Sequence, residues 1–274
     1  MSIHTPVFLE QAINVLQVTE GGLYIDATTG EGGHTRQILA RGGRVLALDW
    51  DSAQYQKLVN QFAGTAQVQV VLSNFSTIEK VAQENQFGLV DGVLFDFGLS
   101  MEQIARSGRG FSFKANAEPL DMRIHEGEGT TAADIVNSYS LEDLYTMFAK
   151  NSEDVHAHDV AENIVRSRRL NHIHTVGDLK QAMGQVGSFA RIFQALRIEV
   201  NHEFENIREG LAGAWNLLKP EGRIVVITFH SLEDRMVKQF AKEKGCAVQK
   251  VKPADFGVKK SFERSAMLRI IVKN

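Results

Sequence analysis

The stretch from Leu23 to Ala40 constrains the fold of this chain most. Leu23-Tyr24-Ile25-Asp26 is a short apolar run ending in a carboxylate, Gly30, Gly32 and Gly33 follow, and Thr35 to Ala40 reads as the start of a helix. A strand that passes through a glycine-rich turn into a helix opens a βαβ unit, and βαβ units commit a chain to a parallel sheet. The pattern repeats. Strand-like runs lie at 44–49, 68–72 and 90–96, with helices expected over 52–62 and 77–84. These runs are almost wholly apolar rather than alternating, as strands covered by helices on both faces must be.

From about 104 to 199 no convincing strand occurs. Two glycine-rich stretches, 107–110 and 126–129, precede helical segments whose starts are marked by Thr130-Thr131-Ala132-Ala133-Asp134 and Ser140-Leu141-Glu142-Asp143. Alternation then resumes, with a helix over 204–218, a turn at Lys219-Pro220-Glu221-Gly222, a strand over 223–229 and a helix over 232–244. The runs 247–251 and 267–272 read as a terminal antiparallel pair. The expected fold is α/β: a Rossmann-like core with a parallel-majority sheet, interrupted by a helical insert. Residues 1–103 form the first part of the core, 104–199 the insert and 200–274 the second part.

Composition narrows the function classes. Thirty basic against 33 acidic residues leave a net charge of −3, which excludes a non-specific coat on nucleic acid but permits a local basic surface. Cys246 stands alone, so neither an internal disulfide nor a thiolate zinc cluster can form. The four histidines at 156, 158, 172 and 174 pair at i, i+2, a spacing that does not suit one helical face, and no metal site is expected. The start lacks a basic stretch followed by an apolar core, and no run of ~18 apolar residues occurs, so a cytoplasmic protein without membrane contact is the expectation.

The glycine loop sits where an open parallel sheet binds ligands, beyond the carboxyl ends of its strands. Asp49 ends the second strand, 19 residues after Gly30, where an acid is placed to hold ribose hydroxyls. The bland alternative is a tight turn with Asp49 as a helix cap. A dinucleotide site would want a third glycine three residues after Gly32, and that position is Thr35. It would also leave Asp26 without a role. S-adenosylmethionine carries no pyrophosphate and offers an ammonium that Asp26 can meet, so it suits the loop better.

Further motifs follow in order. They are His4-Thr5-Pro6-Val7, Gly32-Gly33-His34-Thr35, Asp91-Gly92-Val93-Leu94-Phe95-Asp96-Phe97-Gly98, Arg109-Gly110-Phe111-Ser112-Phe113 and Pro119-Leu120-Asp121-Met122-Arg123. Phe193-Gln194-Ala195-Leu196-Arg197-Ile198 with Val200-Asn201, Phe229-His230-Ser231-Leu232-Glu233-Asp234-Arg235 and Arg264-Ser265-Ala266-Met267-Leu268-Arg269 complete the set. Through these eight blocks the chain resembles the bacterial ribosomal RNA small-subunit methyltransferase H family. The resemblance implies a class I methyltransferase core with a helical insert. It implies methylation of the exocyclic N4 of a cytidine in the decoding centre of 16S ribosomal RNA, with that RNA or the small ribosomal subunit as partner. It also implies cofactor contacts at Gly32, Gly33, His34, Asp49, Phe75, Asp96 and Gln103. The chain departs from the family at Gly98-Leu99-Ser100-Met101, which retains one of two usual serines, and at Asn151-Ser152-Glu153 in place of Gly-Glu-Glu.

The chemistry needs a group that accepts an N–H bond from the amino nitrogen and later takes its proton. Asp96 and His230 are the catalytic candidates, each just beyond a strand end. Asp96 has cofactor binding as its competing role. Ser231, Glu233 and Asp234 read equally well as an N-cap and first-turn acids. Arg106, Arg109, Arg123, Arg166, Arg168, Arg169, Arg191 and Arg197, in or beside the insert, are candidates to grip RNA, as Phe111 and Phe113 are to stack on a base. Solvated helix ends and core packing are the competing readings. Two other functions stay open: a non-catalytic ribosome- or RNA-binding protein that keeps the fold, and an NAD-dependent dehydrogenase.

Overall fold

The computed structural model describes residues 6–99, 103–104, 107–127, 129–251 and 265–274. In chain order the first elements are α1 (Leu9–Leu16), β1 (Leu23–Asp26), α2 (Gly33–Ala40), β2 (Arg44–Asp49), α3 (Ser52–Gln61), β3 (Val68–Leu72), α4 (Ile78–Glu84) and β4 (Val90–Asp96). Five helices follow: α5 (Ala132–Ser138), α6 (Leu141–Ser152), α7 (Ala157–Arg168), α8 (Val176–Met183) and α9 (Phe189–Val200). The chain closes with α10 (Glu203–Leu217), β5 (Leu218–Thr228), α11 (Ser231–Glu243), β6 (Val248–Val251) and β7 (Met267–Val272). Two units result, one of Met1–Gly98 with Phe204–Asn274 and one of Leu99–Glu203.

The first unit holds a seven-stranded sheet in the order β3-β2-β1-β4-β5-β7-β6. β1 to β5 pair in parallel, while β7 runs antiparallel to both β5 and β6. The terminal pair thus extends the main sheet rather than standing apart. The strand order reverses between β1 and β4, and an open α/β sheet places its ligand crevice at such a reversal. Register sharpens this. Asp26 lies beside Ala47 and Leu94, so Asp49 and Asp96, each two residues further on, leave the sheet on the same face as Asp26.

Two elements differ from the sequence pattern. The expected turn at Lys219-Pro220-Glu221-Gly222 is absorbed into β5. Val90 pairs with Leu218 and Gly92 with Arg223, so the intervening residues bulge out, with Glu221 at φ 64°. The bulge is tied at both ends, by Lys219 Nζ on both Asp91 oxygens at 2.8 Å and by the Glu221 amide donating to the Lys273 carbonyl. Helix α1 carries no side-chain N-cap, Phe8 before it being left-handed, which is why no start signal announces it. Its Ala12, Ile13 and Leu16 are buried against the sheet, and Gly92 gives room for the Leu16 methyl.

The second unit is helical; among its described residues only an isolated bridge, Pro119 to Thr175, is β-like. Local chemistry starts its helices: Thr131 with Asp134 and Thr175 with Asp178 form capping boxes for α5 and α8, and Ser140 caps α6. Leu144, Phe148, Ile164, Leu179, Ile192 and Leu196 meet in its core. The seams fall five residues before and four after the 103/104 and 199/200 boundaries read from the pattern. The later seam has a clear cause. Asn201 accepts from the Ile124 amide and donates to the Met122 carbonyl, and Arg197 pairs with Glu203 at 2.7 and 2.9 Å, which anchors the chain past 199 in this unit.

Arg269 on β7 donates to both oxygens of Asp234 on α11 at 2.7 and 3.0 Å, with both side chains largely shielded from solvent. The pair holds the Asp234 carboxyl below the usual carboxylate range. Truncating the acid strands a shielded guanidinium. Asp234→Ala is therefore expected to cost about 2–3 kcal/mol of unfolding free energy, read from urea denaturation; a loss under about 0.5 kcal/mol would mark the pair as an ordinary surface contact.

Candidate cofactor site

The site is assembled from strand ends and the loop between β1 and α2. Glycine is required at two points. Gly30 and Gly32 hold φ of 54° and 75°, and a Cβ on Gly32 would lie 2.6 Å from Gln61 Nε2. A Cβ on Gly33 would run into the Pro6 ring, so α2 starts as close to the chain entry as a backbone can. Thr29 fixes the loop to the sheet: its amide and hydroxyl both donate to the Leu48 carbonyl, at 2.9 and 3.0 Å.

Asp26 is fully buried at the end of β1. Its Oδ2 accepts the Thr35 hydroxyl at 2.7 Å, while Oδ1 is buried with no hydrogen-bond partner. Burial pushes the carboxyl up to about 6 against the pull of these hydrogen bonds. Asp49 accepts the Gly30 amide on Oδ2 at 2.7 Å and the Asp51 amide on Oδ1 at 2.9 Å. Burial, with smaller contributions from the charges of Asp51 and Asp26, raises it to about 7. Asp51, not Asp49, caps α3 by accepting the Ala53 and Gln54 amides. The helix-cap reading of Asp49 therefore falls.

Asp96, half-buried at the end of β4, is held by its amide donating to Thr28 Oγ1 at 2.6 Å, and its Oδ1 accepts the Gly98 amide at 3.4 Å. Loss of hydration, then the charges of Asp26 and Glu233, raise it to about 7. His34, in the first turn of α2, is buried with Nε2 unpartnered, and burial pushes it down to about 4, so it is neutral at physiological pH. Phe75 starts a 3₁₀ turn (Phe75–Thr77) after β3 and rests on the bare backbone of Gly210. Its ring meets Phe95 and Phe97 at centroid distances of 5.7 Å.

At the end of β5, His230 rather than Ser231 is the N-cap of α11. Its Nδ1 accepts the Glu233 amide at 3.4 Å, and Glu233 Oε2 accepts the Phe229 and His230 amides at 2.7 and 3.2 Å. His230 Nε2 lies 2.9 Å from Glu233 Oε1 but off the line a hydrogen bond needs, and it has no hydrogen-bond partner among the described residues. Glu233 and Asp234 are thus occupied by the fold. The structure brings Gly32, Gly33, His34, Asp49, Phe75, Asp96 and His230 into the first unit, whereas Gln103 belongs to the second, where its carbonyl accepts the Ser107 hydroxyl.

The pattern of glycines and acids did not single out Thr28 and Thr35, the two hydroxyls that position Asp96 and Asp26. The signal was present at Thr35, which had counted only as a missing glycine.

The insert's arginines divide. Arg109 donates to the Arg123 and Ile124 carbonyls and lies over the Phe111 ring, Arg123 pairs with Asp121, and Arg168 donates to the Val136 carbonyl. With Arg197 on Glu203, these four serve the fold. Arg166, Arg169 and Arg191 are exposed, and Arg106 lies outside the described residues, as do His4, Thr5, Ser100 and Met101. Phe113 packs edge-on against Phe193 at 6.1 Å, and both Phe111 and Phe113 pack on the insert core. No helix among the described residues is long and apolar enough to cross a membrane.

A mostly parallel sheet with three carboxylates on one face of its switch point, around a glycine loop that lacks the dinucleotide pattern, defines an α/β protein with a Rossmann-like small-ligand site. The chain belongs to the MraW methylase family, which it matches over residues 1–274. It is 43% identical over 258 residues to a ribosomal RNA small subunit methyltransferase H from Thermomicrobium roseum, covering 89% of this chain and 78% of that one. It is 35% identical over 291 residues to the protein so named from Coprothermobacter proteolyticus, covering 98% and 96%. A solved rRNA methylase from Streptococcus thermophilus superposes with a TM-score of 0.49 at 8% identity over 99% of each chain, a likeness too loose to argue from.

The cofactor of such a methylase is S-adenosylmethionine, and the residues present fit it. Orphaned Asp26 Oδ1 and the raised carboxyls of Asp49 and Asp96 want donors or positive charge, which a ligand bearing an ammonium, a sulfonium and ribose hydroxyls supplies. The sign of the pH effect follows. A carboxyl raised from 3.8 to about 7 binds a proton more tightly folded than unfolded, so the unliganded protein loses stability through this group as pH rises from about 4 to about 7. Asp96→Asn removes that loss. Its unfolding free energy relative to the parent is expected to increase between pH 5 and pH 8 in urea titrations without ligand; a difference independent of pH would rule out the raised carboxyl.

Proposed function

We propose that this protein transfers the methyl group of S-adenosylmethionine to the exocyclic N4 of a cytidine in the decoding centre of 16S ribosomal RNA. The observation that carries the reading is the Asp26–Asp49–Asp96 face at the sheet's switch point, in a chain of the MraW methylase family. The names of the relatives, ribosomal RNA small subunit methyltransferase H, support small-subunit RNA as the substrate. The order of the motif blocks supports the cytidine amino group.

In this reading Asp26 meets the ammonium of the cofactor, Asp49 its ribose hydroxyls and Phe75 its adenine. Gly32, Gly33 and His34 give the loop its close approach. When bound, the cofactor supplies an electrophilic methyl on a sulfonium. Asp96 is the favoured proton acceptor. Its Oδ1 holds only a long bond from Gly98, and its pKa of about 7 lets it accept an N–H and then retain the proton near neutral pH. By accepting an N–H of the cytosine amino group, Asp96 would localise the nitrogen lone pair for attack on that methyl and would then hold the released proton. His230 is the second candidate, through an Nε2 that makes no hydrogen bond and lies 2.9 Å from Glu233 Oε1.

Mass mapping of modified cytidines in small-subunit RNA from cells lacking the protein is expected to show loss of one N4-methyl mark, with restoration on complementation. Asp96→Asn is expected to lower methyl transfer about a hundredfold or more, with S-adenosylhomocysteine affinity changed far less. Parent activity is expected to fall as pH drops below about 7. Tight binding of small subunits with no transfer to RNA or particle would leave the non-catalytic alternative instead.

A further inference from the structure

The second unit carries a surface that the cofactor chemistry does not use. Residues 163–177 contain Arg166, Arg168 and Arg169 and no acid, in a chain where acids outnumber bases. Arg166 and Arg169 are exposed at the end of α7. Arg166 gives one donor to Asn163 Oδ1, and Arg169 forms no ion pair with a described residue. Leu170 follows with 81% of its surface exposed. His172 and His174 are exposed, with their rings stacked 22° from parallel at 5.8 Å.

Such a run would ordinarily be a solvated loop, but this one is clamped. Ile173, between the two histidines, is buried in the insert core. Asn137 on α5 accepts the Ile173 amide at 3.1 Å and donates to its carbonyl at 2.7 Å, pairing as a neighbouring strand would. Arg168 is pinned to the Val136 carbonyl next to it. The nearest following acid, Asp178, is occupied in accepting the His174 and Thr175 amides. The backbone that presents two guanidinia, an uncovered leucine and two planar rings is therefore held in place, at the cost of exposing apolar and aromatic surface. A polyanion with accessible bases matches that combination: guanidinia take phosphates and flat rings take unstacked bases. A protein partner recognised through acids would leave the stacked rings and leucine without purpose.

We infer that the segment from Arg166 to His174 is a preorganised docking surface for single-stranded ribosomal RNA, its arginines on phosphates and its histidine pair against bases. The inference rests on the small-subunit RNA reading above and identifies which part of the insert takes that RNA. Full-length parent, Arg166→Ala/Arg169→Ala and His172→Ala/His174→Ala proteins are compared by fluorescence anisotropy on a transcript of the small-subunit decoding region, at several salt concentrations. Methyl transfer by the parent and calorimetric titration with S-adenosylhomocysteine serve as controls. The arginine pair is expected to weaken RNA binding about tenfold and to reduce the slope of log affinity on log salt by about 1.4, at about 0.7 per phosphate. The histidine pair is expected to weaken binding about fivefold with the slope unchanged. Both variants should keep the parent affinity for S-adenosylhomocysteine.

Parent-like RNA affinity and slope in both variants, beside a parent that methylates the RNA, would overturn the docking surface and leave the function intact. A parent that methylates neither the RNA nor assembled small subunits would overturn the function itself. If the arginine variant binds naked RNA normally but fails only on assembled subunits, the surface takes a ribosomal protein and the inference is likewise overturned.

Discussion

The site depends on one short tie, the Gly30 amide donating to Asp49 Oδ2 at 2.7 Å, seconded by the Thr35 hydroxyl on Asp26 Oδ2. The first draws the glycine loop to the end of β2, and the second fastens the first turn of α2 to the end of β1. Sheet register brings Asp96 to the same edge, where burial, with mutual repulsion at Asp49 and Asp96, keeps the acids above their ordinary range. A site in this condition is costly unliganded and gains from any ligand that brings donors and positive charge. A cofactor with an ammonium and a sulfonium, bound as proposed, would offset that cost.

The two units divide the work by the nature of their polar groups. In the sheet unit, polar side chains around the strand ends keep unused valence: Asp26 Oδ1, His34 Nε2, Thr228 Oγ1 and His230 Nε2 are all buried without a hydrogen bond. In the helical unit most polar groups are spent on the fold, through capping boxes, the Asn201 bridge to Met122 and Ile124, and arginines paired with acids or carbonyls. It leaves Asn151 Oδ1 buried without a hydrogen bond and exposes Arg166, Arg169 and Arg191 at its surface.

Much of this was legible in the chain. Apolar runs of four to seven residues, separated by helical lengths and ended by carboxylates, make βαβ units almost irrespective of context, and all five core strands and the terminal pair lie within a few residues of where the pattern puts them. Capping residues such as Thr131 and Ser140 announce helices because the bond they make is local. What the pattern misread was set at a distance. The Pro220-Glu221-Gly222 segment has turn chemistry, yet pairing on both sides and the Lys219–Asp91 contact fold it into β5 as a bulge. α1 has no cap, and its place comes from burying Ile13 and Leu16.

The sequence by itself determined the class of sheet, the loop, the acids and their order, since these follow from periodicity, from glycine's freedom at positive φ and from chain spacing. Only the tertiary structure decided what each polar group does. It gave Thr35 to Asp26, Thr28 to Asp96 and Glu233 to a helix start, and it sorted four arginines into the fold from three left to solvent. The reason is physical: a polar side chain's role is set by which partner burial leaves it, and those partners come from strands and loops far away in the chain.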